Sequence, residues 1–153
     1  MNNKSVKFAF AVNKVNAFEP KNFGNADKFL IYEWINNEFI LLQAETNPFK
    51  NLDEELPEGS TRKGQAIIDL LKSSNVNVLV SIKFGKNIQM VNSSFIPVIV
   101  SSETPDEVIT TLKKHIKWIE DELKNKPAEF KLFTVKNGIL KTPIKKNQSA
   151  KME

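Results

Sequence analysis

The residues able to do chemistry in this chain are few, and their types exclude more than they propose. Among 153 residues there is no Cys and a single His, at position 115. Without thiolates the chain cannot supply a disulfide, a cysteine nucleophile, a cysteine-held zinc or an iron–sulfur ligand of its own. His115 stands in Lys113-Lys114-His115-Ile116-Lys117-Trp118, on what reads as the basic face of a helix, with no partner for triad chemistry. It is expected to be a boundary residue beside an apolar stripe. Two-metal phosphoryl chemistry needs carboxylates on the first strand and its neighbours. The first apolar segment, residues 5–12, has none; Glu33 and Asp69 are the acidic residues best placed within later elements. Catalytic residues are therefore not expected, and the chain reads as a non-enzyme.

What remains is a set of anion-attracting groups. Gly59-Ser60-Thr61-Arg62-Lys63-Gly64-Gln65 opens one helical pattern, and Lys83-Phe84-Gly85-Lys86-Asn87 opens another. Arg62, Lys63, Lys83 and Lys86 supply charge, and Gly85 allows close backbone approach. Helix N-termini add backbone donors and a positive dipole end. A loop carrying Asn22, Phe23 and Gly24 could close over this rim, whose ligand would be a carboxylate-bearing cofactor, a phosphate or an acidic peptide. Neither segment is a complete phosphate-binding loop. The plain alternative is a solvated first turn, in which cations oppose the helix dipole.

The elements that must position these residues follow from periodicity and turn chemistry. Residues 5–12 read as a strand, and residues 13–27 as a long loop punctuated by Pro20, Asn22, Gly24 and Asn25. Residues 28–35 and 38–45 flank Asn36-Asn37, a pair that tolerates the positive φ of a two-residue hairpin. An acidic crossover (Asp53, Glu54, Glu55, Glu58) leads to a helix capped by Ser60 or Thr61, with Ala66, Ile67, Leu70 and Leu71 at helical spacing. The apolar run 76–82 suits a buried parallel strand, followed by a short helix at 86–91 and a strand at 95–100. Pro97 lacks a backbone donor and places that last strand at a sheet edge. Thr104-Pro105-x-Glu107 is a capping box, and Val108, Ile109, Leu112, Ile116, Ile119 and Leu123 make the stripe of one long helix ending at Asn125-Lys126-Pro127.

Residues 129–135 and 139–144 flank Lys136-Asn137-Gly138, a second hairpin signal, with Phe130, Leu132 and Ile139 as its buried contacts. Such a hairpin must dock, on its own body or on a neighbouring subunit or other protein partner. The order predicts an α/β fold: a ribonuclease H-like mixed sheet of about five strands, three antiparallel and then parallel, flanked by helices and extended by a C-terminal β-hairpin. Residues 1–126 form the domain, 127–144 the hairpin extension, and 145–153 a polar tail expected to be disordered.

Charge follows the same division. The chain carries 22 Lys and Arg against 18 Asp and Glu, a net +4. Residues 1–126 hold 16 of each, so the whole excess lies in residues 127–153. The basic pI therefore describes an appendage, and nucleic-acid binding by the body is not implied. Mean hydropathy is −0.32, and no apolar run approaches a membrane-spanning length, which predicts a soluble, cytoplasmic protein without a membrane partner.

Particular words in the sequence then carry a family likeness. Asn22-Phe23-Gly24-Asn25-Ala26-Asp27-Lys28-Phe29-Leu30-Ile31-Tyr32-Glu33 resembles the His-Phe-Gly-Arg-Ala, aromatic, Phe and Leu-Ile-Tyr-Asp/Glu succession of the dinitrogenase iron-molybdenum cofactor biosynthesis family. Asn47-Pro48, Lys63-Gly64, residues 76–81, Gly85 and Ile96-Pro97-Val98 support it in the same order, over roughly residues 5–123. The resemblance implies a small ribonuclease H-like domain, and it implies an iron-molybdenum or iron–sulfur cofactor precursor as ligand. This sequence departs from the pattern at Asn22, where the family often has His, and at the glycine-rich turn, where only Gly85 remains. Asn hydrogen-bonds but is a poor iron ligand, so the reading is a ligand-binding, carrier or accessory protein without direct cluster ligation. The alternative is an interaction module that uses the hairpin.

Overall fold

The computed structural model describes residues 5–52, 62–85 and 88–142. The helix cap at Ser60 or Thr61, the acidic run 53–58, Lys86 and the tail 145–153 lie outside them.

The chain runs β1 (Val6–Val12), a 3-10 turn (Phe23–Asn25), β2 (Lys28–Ile35), β3 (Glu38–Thr46), α1 (Arg62–Ser73), β4 (Val78–Ser81), α2 (Ile88–Val91), β5 (Ile96–Val100), α3 (Pro105–Lys114), α4 (Ile116–Asn125), β6 (Phe133–Lys136) and β7 (Ile139–Lys141). All seven strands join one sheet in the order β3-β2-β1-β4-β5-β6-β7. β1, β2 and β3 form an antiparallel meander, while β4, β5 and β6 run parallel to β1, and β7 turns back on β6. The mixed ribonuclease H-like sheet is thus extended from five strands to seven by the hairpin.

Strand alternation builds a core on each face. Phe8, Phe10 and Val12 of β1 point with Val78, Val80, Val98 and Phe133 toward Val108 and Leu112 of α3 and Ile119 of α4. Ala9 and Ala11 point the other way, and their small side chains leave room for Phe23, Phe29, Ile67, Ile68, Leu71, Phe84 and Phe95. The loops that leave β1, β3 and β4 therefore lie at the same end of the sheet, where α1 and α2 begin and the rim lies.

Both hairpins form as their turn residues require. Asn36 and Asn37 take φ of 55° and 64°, and Asn137 and Gly138 take 53° and 77°. The capping box also forms, with the Glu107 N–H donating to Thr104 Oγ1 at 3.2 Å and the Thr104 N–H donating to Glu107 Oε1 at 2.9 Å.

Three expectations are corrected. The strand containing Pro97 is not an edge: β5 lies between β4 and β6. The Ile96 N–H donates toward β4, to the Asn77 carbonyl at 2.9 Å, so alternation turns the Pro97 nitrogen toward β6. Pairing with β6 begins only at Val98, and the missing donor is tolerated there. The long C-terminal helix is two helices, broken at His115, whose φ of −120° and ψ of 24° interrupt the helical path without Gly or Pro. The hairpin is shifted in phase. Phe133, Val135 and Leu140 are its buried residues, whereas Phe130 is only partly buried and Ile139 is exposed. Residues 127–132 form an irregular tie, held by the Phe130 N–H on the Asn92 carbonyl (2.8 Å) and the Lys131 N–H on Glu122 Oε2 (2.8 Å). A strand that begins at Phe133 inverts the inward set expected from Phe130 and Leu132.

Candidate functional site

The loop after β1 is fastened to the loop after β4 by backbone. Asn22 and Lys83 form an isolated parallel bridge, and the Phe23 N–H donates to the Lys83 carbonyl at 3.1 Å. The same carbonyl accepts the hydroxyl of Ser81, at the buried end of β4, at 3.0 Å. Asn22 Oδ1 accepts the Gly24 N–H at 3.0 Å and so caps the 3-10 turn. Phe23 is fully buried and its ring meets Phe84 at 5.6 Å, so it anchors the loop from beneath and does not line its surface.

Two glycines make the close approach. Gly85 has φ of +63°, which favours glycine, and a Cβ there would stand 3.4 Å from Asn22 Nδ2. A Cβ on Gly24 would stand 3.0 Å from Lys63 Cε and 3.3 Å from Asn22 Oδ1. The first turn of α1 therefore lies against the loop through the Lys63 stem. The structure brings Asn22, Gly24, Lys63, Lys83 and Gly85 into one cluster with Phe23 as its buried anchor. Arg62 is exposed one residue before Lys63, and Lys83 is exposed beside the bridge. Because α2 is a single turn, that side of the rim offers local donors and Lys83 charge rather than a developed macrodipole.

Asn47 was legible in the sequence only as half of an Asn-Pro turn. It is 6% exposed, and its amide locks the loop: Nδ2 donates to the carbonyls of Gly24 (3.2 Å) and Ala26 (2.9 Å), and Oδ1 accepts the Phe49 N–H (3.0 Å). Beside it opens a hollow of about 670 Å³ bordered by Lys14, Lys28, Lys50, Thr46 and Asp27. Asp27 pairs with Lys50, whose hydrogen bond holds the Asp27 carboxyl below its ordinary range and raises the Lys50 ammonium above its own. Single lysines spread over 36 residues gave no local motif for this hollow.

The donor set among the described residues does not fit direct metal ligation. Among the described residues the rim offers an amide, lysine ammonium groups and backbone, and the chain has no Cys. Its one His is the C-cap of α3, where its ring lies tilted against Trp118 with centroids 4.7 Å apart. Among the described residues no three His, Cys, Asp or Glu gather into a group able to hold a metal ion. Asp69 is engaged by Gln65 on the exposed side of α1, and Glu33 lies on β2 across from Lys7. An iron–molybdenum cluster thus finds no thiolate or imidazole at the rim to coordinate it.

Strand order, crossovers and the loop cluster at the strand ends define a ribonuclease H-like α/β domain. The chain belongs to the dinitrogenase iron-molybdenum cofactor family, whose pattern matches residues 4–115. The family likeness read from the sequence is thereby confirmed, and the family brings an association with the iron-molybdenum cofactor. The match ends at His115, where α3 gives way to α4, so α4 and the hairpin follow the matched region. A comparison with curated proteins returned no match. No helix among the described residues is long and apolar enough to cross a membrane.

Proposed function

We propose that this protein is a non-enzymatic accessory or carrier protein of iron-molybdenum cofactor metabolism that holds an anionic ligand at the rim by charge and hydrogen bonding. The observation that supports it is the convergence of Asn22, Gly24, Lys63, Lys83 and Gly85 at the ends of β1 and β4, held by the Asn22–Lys83 bridge. Lys63 and Lys83 come from two different crossovers, and the backbone between them is drawn tight by glycine and amide contacts. Such an arrangement recognises the outer oxygens of a ligand, whether carboxylate, phosphate or the oxyanionic periphery of a cofactor precursor, without entering a metal's coordination sphere. The absence of carboxylates from β1 supports a binding role over a catalytic one.

Two measurements test this. Replacing Arg62 and Lys83 with Ala should weaken, by about tenfold or more, the binding of any anion found in a ligand screen, since each charge-assisted contact contributes roughly 1.5–3 kcal/mol. Unchanged affinity for every hit would reject the rim. Anaerobic purification after exposure to a cluster donor, followed by elemental analysis, addresses the cargo. No stoichiometric iron or molybdenum would reject a cluster carrier while leaving smaller anions.

A second reading keeps the hairpin as a recruiting element for another protein. It is supported by the groove between α4 and β7, where Trp118 and Ile139 remain exposed. β6 pairs with β5 of its own chain, so a partner would meet only β7 and this groove.

A further inference from the structure

The antiparallel meander gathers a second set of cations that the rim does not use. Val12, Lys28 and Thr46 stand in one row across β1, β2 and β3, so the segments that carry Lys14 and Lys50 leave the sheet on either side of Lys28. All three lysines border the hollow of about 670 Å³, and Asp27 is the one carboxylate bordering it among the described residues. Backbone contacts pin each of them. Asn13 Oδ1 accepts the N–H groups of Val15 and Ala17, both at 3.0 Å, and fixes the turn around Lys14. The Asp27 N–H donates to the Val12 carbonyl at 2.9 Å, and the Asp27 carbonyl accepts the Asn47 N–H at 3.1 Å, tying the residue before Lys28 to both neighbouring strands. Asn47 Oδ1 holds the Phe49 N–H, immediately before Lys50.

The charge gathered there is not balanced from within. Asp27 is taken up by Lys50, on which Glu19 also acts. Neither Lys14 nor Lys28 has a carboxylate at ion-pair distance among the described residues. Three ammonium groups against one carboxylate leave the lining at 3 − 1 = +2. Cations held together by the fold repel one another, and a bound anion relieves that repulsion. Thr46 and Asn51 add a hydroxyl and an amide to the same hollow, and Pro48 and Leu52 give it an apolar side. A phosphoryl group carries three outer oxygens and close to two charges near neutral pH, which suits two unpaired ammonium groups with neutral donors beside them. A single carboxylate offers one charge and two oxygens. The volume falls within the roughly 300–1,000 Å³ of small-molecule sites, which leaves room for an organic group attached to the phosphate.

We infer that the hollow at the ends of β1, β2 and β3 is a binding site for a small phosphate monoester, whose phosphoryl oxygens meet Lys14 and Lys28 while Asp27 holds Lys50 at the margin. The site is separate from the rim, since Arg62, Lys63 and Lys83 do not border it, and the inference does not depend on the rim reading. An anion whose binding survives loss of Lys83 but yields to loss of Lys14 belongs to the hollow.

Titration of the full chain with glycerol 3-phosphate, followed by amide chemical shifts, should give a saturable shift shared by Lys28, Asn47 and Asn51. Lys14→Gln and Lys28→Gln should each weaken that binding by about tenfold or more, while Lys83→Gln should leave it unchanged. Asp27→Asn removes the one lining carboxylate and releases Lys50, so it should tighten binding by about threefold or more, with the melting temperature reporting that the variant is folded. Inorganic phosphate should shift the same amides with weaker affinity, and malonate should be weaker still. No saturable shift with glycerol 3-phosphate overturns the inference. So does a shift that both lysine variants leave unchanged, weaker binding by a folded Asp27→Asn chain, or malonate binding as tightly as the ester. Inorganic phosphate binding as tightly as the ester overturns the monoester as the ligand.

Discussion

Asn47→Ala is the sharpest perturbation available, because one buried amide ties the loop after β1, which carries Gly24, to the segment after β3. Its three hydrogen bonds, to the Gly24 and Ala26 carbonyls and from the Phe49 N–H, are each worth about 1 kcal/mol net, which sums to about 3 kcal/mol. Truncation also strands two carbonyls and one N–H, but the hollow beside them is open, and water can reach part of that set. The expected loss is therefore about 2–3 kcal/mol, or roughly 5–10 °C in melting temperature for a domain of this size. Calorimetry reads the global term, and amide exchange at Phe23 reads the loop, since that N–H is held on the Lys83 carbonyl. Asn47→Asp provides the control: it keeps the acceptor for Phe49, loses both donors and faces a carboxylate toward two carbonyls, so it should cost at least as much as Ala. A shift below about 1 °C with unchanged Phe23 protection, or an Asp variant as stable as wild type, would refute the reasoning.

Gly85→Ala should cost about 1–2 kcal/mol by urea unfolding, because its φ of +63° is unfavourable for an L side chain, and it should weaken anion binding more than it lowers stability. Thr104→Ala removes one half of the capping box and should cost about 1 kcal/mol, read by thermal melting. Glu103 predicts an acid-sensitive hairpin. Burial pushes its carboxyl up, but backbone N–H bonds from Asn137, Glu103, Ser101 and Ser102 outweigh it and hold the group below its ordinary value. A carboxyl lowered in the folded state contributes stability that is complete above its unfolded pKa, about 4.3, and is lost as pH falls through the folded value. Exchange at the Asn137 amide, 2.9 Å from Glu103 Oε2, should therefore accelerate below about pH 4, and Glu103→Gln should flatten that dependence. Truncation after Lys126 should expose the β5 edge and the residues covered by Phe133, Val135 and Leu140, giving a less soluble and less stable body. A truncated chain as stable as the full one would make the hairpin dispensable to the fold.

Features governed by local sterics were legible in the sequence. Asn36-Asn37 and Asn137-Gly138 fixed their turns because few residues accept positive φ, and Thr104 with Glu107 fixed a helix start because both bonds lie within four residues. Features decided by competition between near-equal patterns were not. Residues 130–135 carry apolar groups in both strand phases, Phe130 and Leu132 in one, Phe133 and Val135 in the other, so alternation alone could not choose. The choice falls to buried Glu122, which captures the Lys131 N–H and delays the strand to Phe133. The helix break at His115 carries no signal either: the apolar spacing from Leu112 through Ile116 to Ile119 continues across it, and neither Gly nor Pro marks it.

The same distinction separates the parts of the candidate site. Arg62, Lys63, Lys83 and the glycines could be named from the sequence because charge and conformational freedom belong to a residue type. Asn47 and Ser81 could not, because their importance lies in which carbonyls they meet after folding. Asn22 joins the two cases. Its type removed the imidazole from the Phe-Gly turn, and its place in the fold shows what the side chain does instead. Oδ1 caps the turn, its backbone bridges to Lys83, and Nδ2 limits what Gly85 can become. Protein contacts thus hold the loop geometry. On the anion-binding role proposed above, a ligand meets a rim already shaped by those contacts, and selectivity among anions would fall to Arg62 and Lys83 at its margin.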